Sequence, residues 1–116
     1  MSLNKNKQAF KQIDEYSQWK KELLSSQGYF IVFQGFKDKN FLKNISGSAL
    51  KLYIFLGLHS GNFTGESWVS ISTIANYFDK DPRTVSHWIK ELEELGLIKR
   101  IQFSRTESAH TYLRPY

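Results

Sequence analysis

The side chains best placed to do chemistry lie close together: Arg83, Thr84, Ser86, His87 and Lys90. Steps of three and four put Arg83, Ser86 or His87, and Lys90 on one side of a helix. Their chemistry is donation. Guanidinium and ammonium carry positive charge, while hydroxyl and imidazole offer hydrogen bonds. Such a face suits phosphate oxygens and base edges rather than the making of covalent bonds. Three more cations, Lys99, Arg100 and Arg105, follow.

No constellation for catalysis accompanies them. His59, His87 and His110 are scattered over three segments without metal-ligand spacing. The chain has no Cys, which removes thiolate ligands and disulfides and is compatible with a reducing compartment. No Ser sits in a nucleophile elbow, and no Gly-rich phosphate loop is visible. Glu91, Glu93 and Glu94 read as a solvated helix face. The expectation is no enzyme, no metal, no cofactor and no small-molecule substrate.

The donor face needs elements to hold it. Ser46-Gly47-Ser48 supplies an N-cap for a helix running to about His59, apolar nearly all round and therefore central. Trp68-Val69 is a short strand candidate. Ser70 caps a second helix, with Ile71, Ile74, Ala75 and Phe78 as one stripe. Asp79-Lys80-Asp81 breaks it. Asp81 then caps a third helix, with Pro82 at its first position, where a missing N–H costs nothing. That helix, 82–95, buries Val85, Ile89 and Leu92 and stops at Gly96 in the left-handed conformation. Residues 97–103 and 109–114 read as a hairpin around a polar tip at 104–108.

The order is helix, short strand, helix, three-residue turn, helix, hairpin. In a helix-turn-helix, the second of the two close helices enters the major groove of DNA with its first residues on base edges. The stretch from Ser70 to Arg100 resembles the winged helix-turn-helix superfamily. It is most similar to bacterial and phage regulators and to the N-terminal domains of plasmid replication initiators. Ile74-Ala75, Thr84-Val85, Leu92 and Gly96-Leu97-Ile98 carry the likeness, which covers about residues 46–116. It implies an α+β, mostly α fold: a three-helix core plus a β-hairpin wing. It also implies a double-stranded DNA partner and a role as a small transcriptional regulator or replication-initiator-like factor.

On that reading Arg83 and Lys90 reach guanine edges or phosphate, Ser86 and His87 reach bases or backbone, and Thr84 reaches phosphate or supports the turn. Lys99, Arg100 and Arg105 make the wing positive. Ser70 and Ser72 stand where helix N-termini offer N–H groups to phosphate. Asp79 and Asp81 flank this approach and repel phosphate unless capping neutralises them.

Charge is uneven. The net is +5, with eight Lys against four acids in residues 1–45 and eight basic against seven acidic residues in 46–116. A basic balance favours a polyanionic partner. Residues 1–45 read as an N-terminal extension of helix and strand. Leu3, Phe10, Ile13, Tyr16, Trp19, Leu23 and Leu24 make residues 3–25 an amphipathic helix ended by Gly28. Tyr29 to Phe33 reads as a strand, and Gln34 to Asn44 as a loop.

The N-terminal helix has three candidate roles: packing on its own domain, homodimerisation, or lying on DNA. Homodimerisation is preferred, because regulators bind paired half-sites. Trp88 is read as a half-buried core aromatic or, with Leu95, as a flank receiving that helix. The dimer or partner surface is then Phe10, Ile13, Trp19, Trp88 and Leu95. The rival reading is a protein-interaction module using Tyr29 to Phe36, Trp19, Trp68 and Trp88. No signal peptide or membrane span is legible, so the expected location is cytoplasmic.

Overall fold

The computed structural model describes the backbone of residues 2–116 and the side chains from Asn4 onward; the side chain of Leu3 lies outside the described residues. Among the described residues six helices and three strands follow in order: α1 (Ser2–Ser26), α2 (Gly35–Asp38), α3 (Phe41–Asn44), α4 (Gly47–Leu58), β1 (Glu66–Ser67), α5 (Ile71–Phe78), α6 (Pro82–Glu94), β2 (Ile98–Ile101) and β3 (His110–Leu113).

The three central helices start where side-chain oxygens satisfy N–H groups that a helix leaves free. Ser46 accepts from the Ala49 N–H, Ser70 from the Thr73 N–H, and Asp81 from the Arg83 N–H. The core lies where α4, α5 and α6 meet. Leu52, Leu56, Ile74, Val85 and Leu92 are fully buried there, joined by Leu97 and Ile98 after Gly96. Each such aliphatic side chain contributes roughly 1.5–3 kcal/mol by leaving water. The strands form one antiparallel sheet in the order β1-β3-β2, with Ile98 opposite Leu113, Arg100 opposite Thr111, and Ser67 opposite Thr111.

Several expectations need correction. Tyr29 to Phe33 is not a strand, because it has no ladder. Its β propensity reflects aromatic and β-branched side chains, but β1 and β2 pair only with β3. Phe30 instead lies against Gly57 of α4, and the Phe33 N–H donates to the Tyr116 hydroxyl at 2.8 Å.

The 34–44 region is two single helical turns, α2 and α3, joined through a left-handed Asn40. They form because Phe36 and Phe41 pack with Tyr53 and Tyr116 in an aromatic cluster. The strand expected at Trp68-Val69 lies two residues earlier. Ser67 is buried opposite Thr111, whereas Trp68 is 68% exposed. Gly28 does not take a left-handed φ; the glycines that do are Gly65 and Gly96.

α1 stands apart from this body. From Asn4 to Ser26 only Leu23 is even half-buried. Along the longest axis the molecule extends 64 Å, against 31 and 29 Å across. A 25-residue helix is about 37 Å long, which accounts for the excess. Packing of α1 on its own domain is therefore not what this structure contains. Trp88 and Leu95 do not receive the helix of their own chain: the Trp88 ring stands edge-on to Phe78 at 5.6 Å, and both side chains are half-buried against the domain's core.

Candidate nucleic-acid interface

The turn between α5 and α6 aims the donor face. Asp79 is left-handed, with φ 53°. The Lys80 N–H donates to the Ala75 carbonyl at 3.0 Å, and the Asp79 N–H to the Asn76 carbonyl at 3.4 Å. This double closure is a Schellman ending. One residue later Asp81 starts α6, its carboxylate accepting the Arg83 N–H at 2.8 Å. Three residues, Asp79 to Asp81, thus carry the chain from α5 into α6. The charge of Asp81 is spent on a helix N-terminus, where a negative charge is favourable.

α6 buries Val85, Ile89 and Leu92 and leaves Arg83, Ser86, His87 and Lys90 exposed. These four lie on the helix side away from the core, as the stripe requires. Thr84 is half-buried beside the turn. Lys80, in the turn itself, is exposed as well; sequence reasoning passed over it because it sits between two acids. No described side chain of α1 covers this surface. The far end of α6 closes by the same device as α5. Gly96 is left-handed, the Leu97 N–H donates to the Leu92 carbonyl at 3.0 Å, and both leucines are fully buried.

Ser70 and Ser72 separate in role. The Ser70 hydroxyl accepts the Thr73 N–H at 3.1 Å and lies within 3.0 Å of both Ser72 Oγ and Thr73 Oγ1. Ser70 is half-buried as a cap, and Ser72 is exposed.

The hairpin also divides its cations. Alternation along β2 puts Lys99 on one face and Arg100 on the other. Lys99 is exposed. Arg100 is half-buried beneath the sheet, with its guanidinium donating to Thr111 Oγ1 at 3.4 Å. Burial lowers its pKa, and the Glu93 carboxylate opposes that shift. Arg100 therefore braces β2 against β3 instead of adding to an outer positive surface. Arg105 is exposed at the tip, which closes on itself through the Glu107 N–H to Ser104 Oγ at 3.2 Å and Gln102 Nε2 to the Glu107 carbonyl at 3.1 Å.

On the outer face Glu66 ties the sheet together. Hydrogen bonds from Tyr112 and then Trp68 hold its carboxylate below the usual range, aided by the nearby charge of His110. The same bond raises the Tyr112 phenol. His110 is the only one of the three histidines with a carboxylate this close among the described residues, at 3.6 Å.

Among the described residues, no group of three or more His, Cys, Asp or Glu could hold a metal ion. Nor is any described helix long and apolar enough to cross a membrane.

Residues 43–98 match the family described as a helix-turn-helix domain. This segment is a helix-turn-helix domain. The match takes in α4, β1, the α5–turn–α6 unit and the start of β2. The exposed side chains Arg83, Ser86, His87 and Lys90 of α6 lie within the matched residues. No curated protein and no solved structure matches the chain.

Proposed function

We propose that this protein is a winged helix-turn-helix factor that binds double-stranded DNA sequence-specifically as a homodimer. The role that fits is a small transcriptional regulator or a replication-initiator-like factor of a bacterial, plasmid or phage system, working in the cytoplasm. α6 enters the major groove, Arg83 and Lys90 meet guanine edges or phosphate, and Ser86 and His87 complete the contact. The β2–β3 hairpin serves as the wing, with Lys99 and Arg105 on the backbone. The N-terminus of α5, with Ser72 outermost, accepts a phosphate. Phe10, Ile13 and Trp19 on α1 supply the surface for a second copy.

One observation carries the reading. Arg83, Ser86, His87 and Lys90 stand exposed on the second helix of a helix-turn-helix, opposite its buried stripe and uncovered by any described side chain of another element. Binding to duplex DNA of random sequence, followed by anisotropy at low and moderate salt, tests it. Salt-sensitive binding is expected, because phosphate contacts release counterions. Absence of binding even in dilute buffer would leave the protein-interaction reading. Selection from a random pool then identifies the site, and a palindrome is expected.

A further inference from the structure

Residues 28–33 connect α1 to α2 without helix, turn or bend. None of residues 28–33 has a positive φ. The segment is pinned at two points. The Phe30 ring sits so close to Gly57 that no side chain would fit there beside it, and the Phe33 N–H is held by Tyr116. The backbone N–H and C=O groups from Tyr29 to Val32 meet no hydrogen-bonding partner among the described residues. Ile31, Val32 and Phe33 are 60%, 50% and 65% exposed. Beside the segment a cleft of about 460 Å³ opens toward Gly61, Asn62 and Phe63, so one flank is open.

We propose that residues 29–33 pair as an antiparallel β-strand with the same residues of a second copy of this chain. The inference rests on the homodimer reading above and adds a contact to it. A row of unmet N–H and C=O groups is a template for another strand. Whatever pairs there must be extended, apolar and itself short of partners, and this segment meets that description. A two-fold axis lets each copy satisfy the other with the same groups.

The area also agrees. Tyr29, Ile31, Val32 and Phe33 are exposed, as are Phe10, Ile13, Tyr16, Trp19 and Leu24 of α1. At roughly 200 Å² for a large side chain, about half exposed, they present on the order of 1,000 Å² per chain. A stable interface needs about 800 Å² per partner.

Pairing centred on Ile31 makes 31 with 31 a non-hydrogen-bonded pair and 30 with 32 the bonded pairs. The chain has no Cys, so one introduced Cys reports on its own counterpart. Under mild oxidation Ile31→Cys should link as a dimer, while Tyr29→Cys and Phe33→Cys, displaced along the strand, should link far less. Val32→Pro tolerates extended backbone but removes one N–H. It should halve the sedimentation mass at a concentration where the unaltered chain is dimeric, while the body still unfolds cooperatively by the emission of Trp68 and Trp88. A dimer whose Ile31→Cys stays unlinked, or whose mass survives Val32→Pro, overturns the strand contact and spares the homodimer. A chain that sediments only as a monomer overturns both, and DNA binding measured in parallel shows whether the rest of the reading stands.

Discussion

The Glu91 carboxylate accepts two hydrogen bonds from Ser46, one from its backbone N–H and one from its hydroxyl, each 2.8 Å long. The second half of α6 is thereby fastened to the start of α4. The Ser46 hydroxyl meanwhile accepts the Ala49 N–H at 3.1 Å. One residue thus caps its own helix and anchors another. Glu91→Ala should cost about 1–2 kcal/mol, the scale of hydrogen bonds to a charged group after allowing for partial exposure. Ser46→Ala should cost about 1 kcal/mol as a lost cap, and the two losses should be non-additive. Urea midpoints of the two single variants and the double variant measure this.

Arg83 stands at the start of α6 with its backbone N–H held by Asp81. Arg83→Ala should leave stability unchanged, cost about 1–3 kcal/mol in affinity for a selected site, and relax preference at one position. Competition among single-base variants of the site reads this. Unchanged affinity removes Arg83 from base readout.

The hairpin cations should part company in experiment. Arg105→Ala should weaken binding to all duplexes alike and reduce the slope of affinity against salt by about one. Arg100→Ala should instead lower the unfolding midpoint, because it leaves the buried Thr111 without its guanidinium partner. Anisotropy across salt and thermal melting of both variants make the comparison.

Burial, the nearby Tyr116 charge and a hydrogen bond with Tyr116 push the Tyr53 phenol up to about 12, from 10.0. Folding therefore favours its protonated form. The contribution is whole below pH 10 and is lost as pH rises from 10 toward about 12. At about 1.4 kcal/mol per pKa unit, the loss reaches roughly 2–3 kcal/mol. Tyr53→Phe lacks this loss, so its stability relative to the unaltered chain should rise as pH passes 10, read from urea midpoints.

Helix starts and stops were legible because each has a local cause. Ser46, Ser70, Asp81-Pro82 and Gly96 act within a few residues of themselves, and the stripes of α5 and α6 need only one helical period. What depends on distant partners was not legible. Tyr29 to Phe33 has the composition of a strand, yet whether it pairs is decided by what lies beside it. Phe36 and Phe41 shape the 34–44 region only through Tyr53 and Tyr116. Arg100 and Glu91 look like surface charges until Thr111 and Ser46 are brought to them. The donor face of α6 was readable because it is the complement of a buried stripe, while Lys80 was hidden by its acidic neighbours.

α1 holds almost no contact with the body it precedes. A helix without tertiary support melts by gradual fraying and not in an all-or-none step. Heating a dilute sample should therefore make far-UV ellipticity decline well before the body unfolds cooperatively. Emission from Trp68 and Trp88 should follow the later event, while Trp19 adds a component that follows the earlier one. The two probes should coincide only when α1 has found company, so their separation, plotted against protein concentration, becomes a calorimeter-free gauge of self-association.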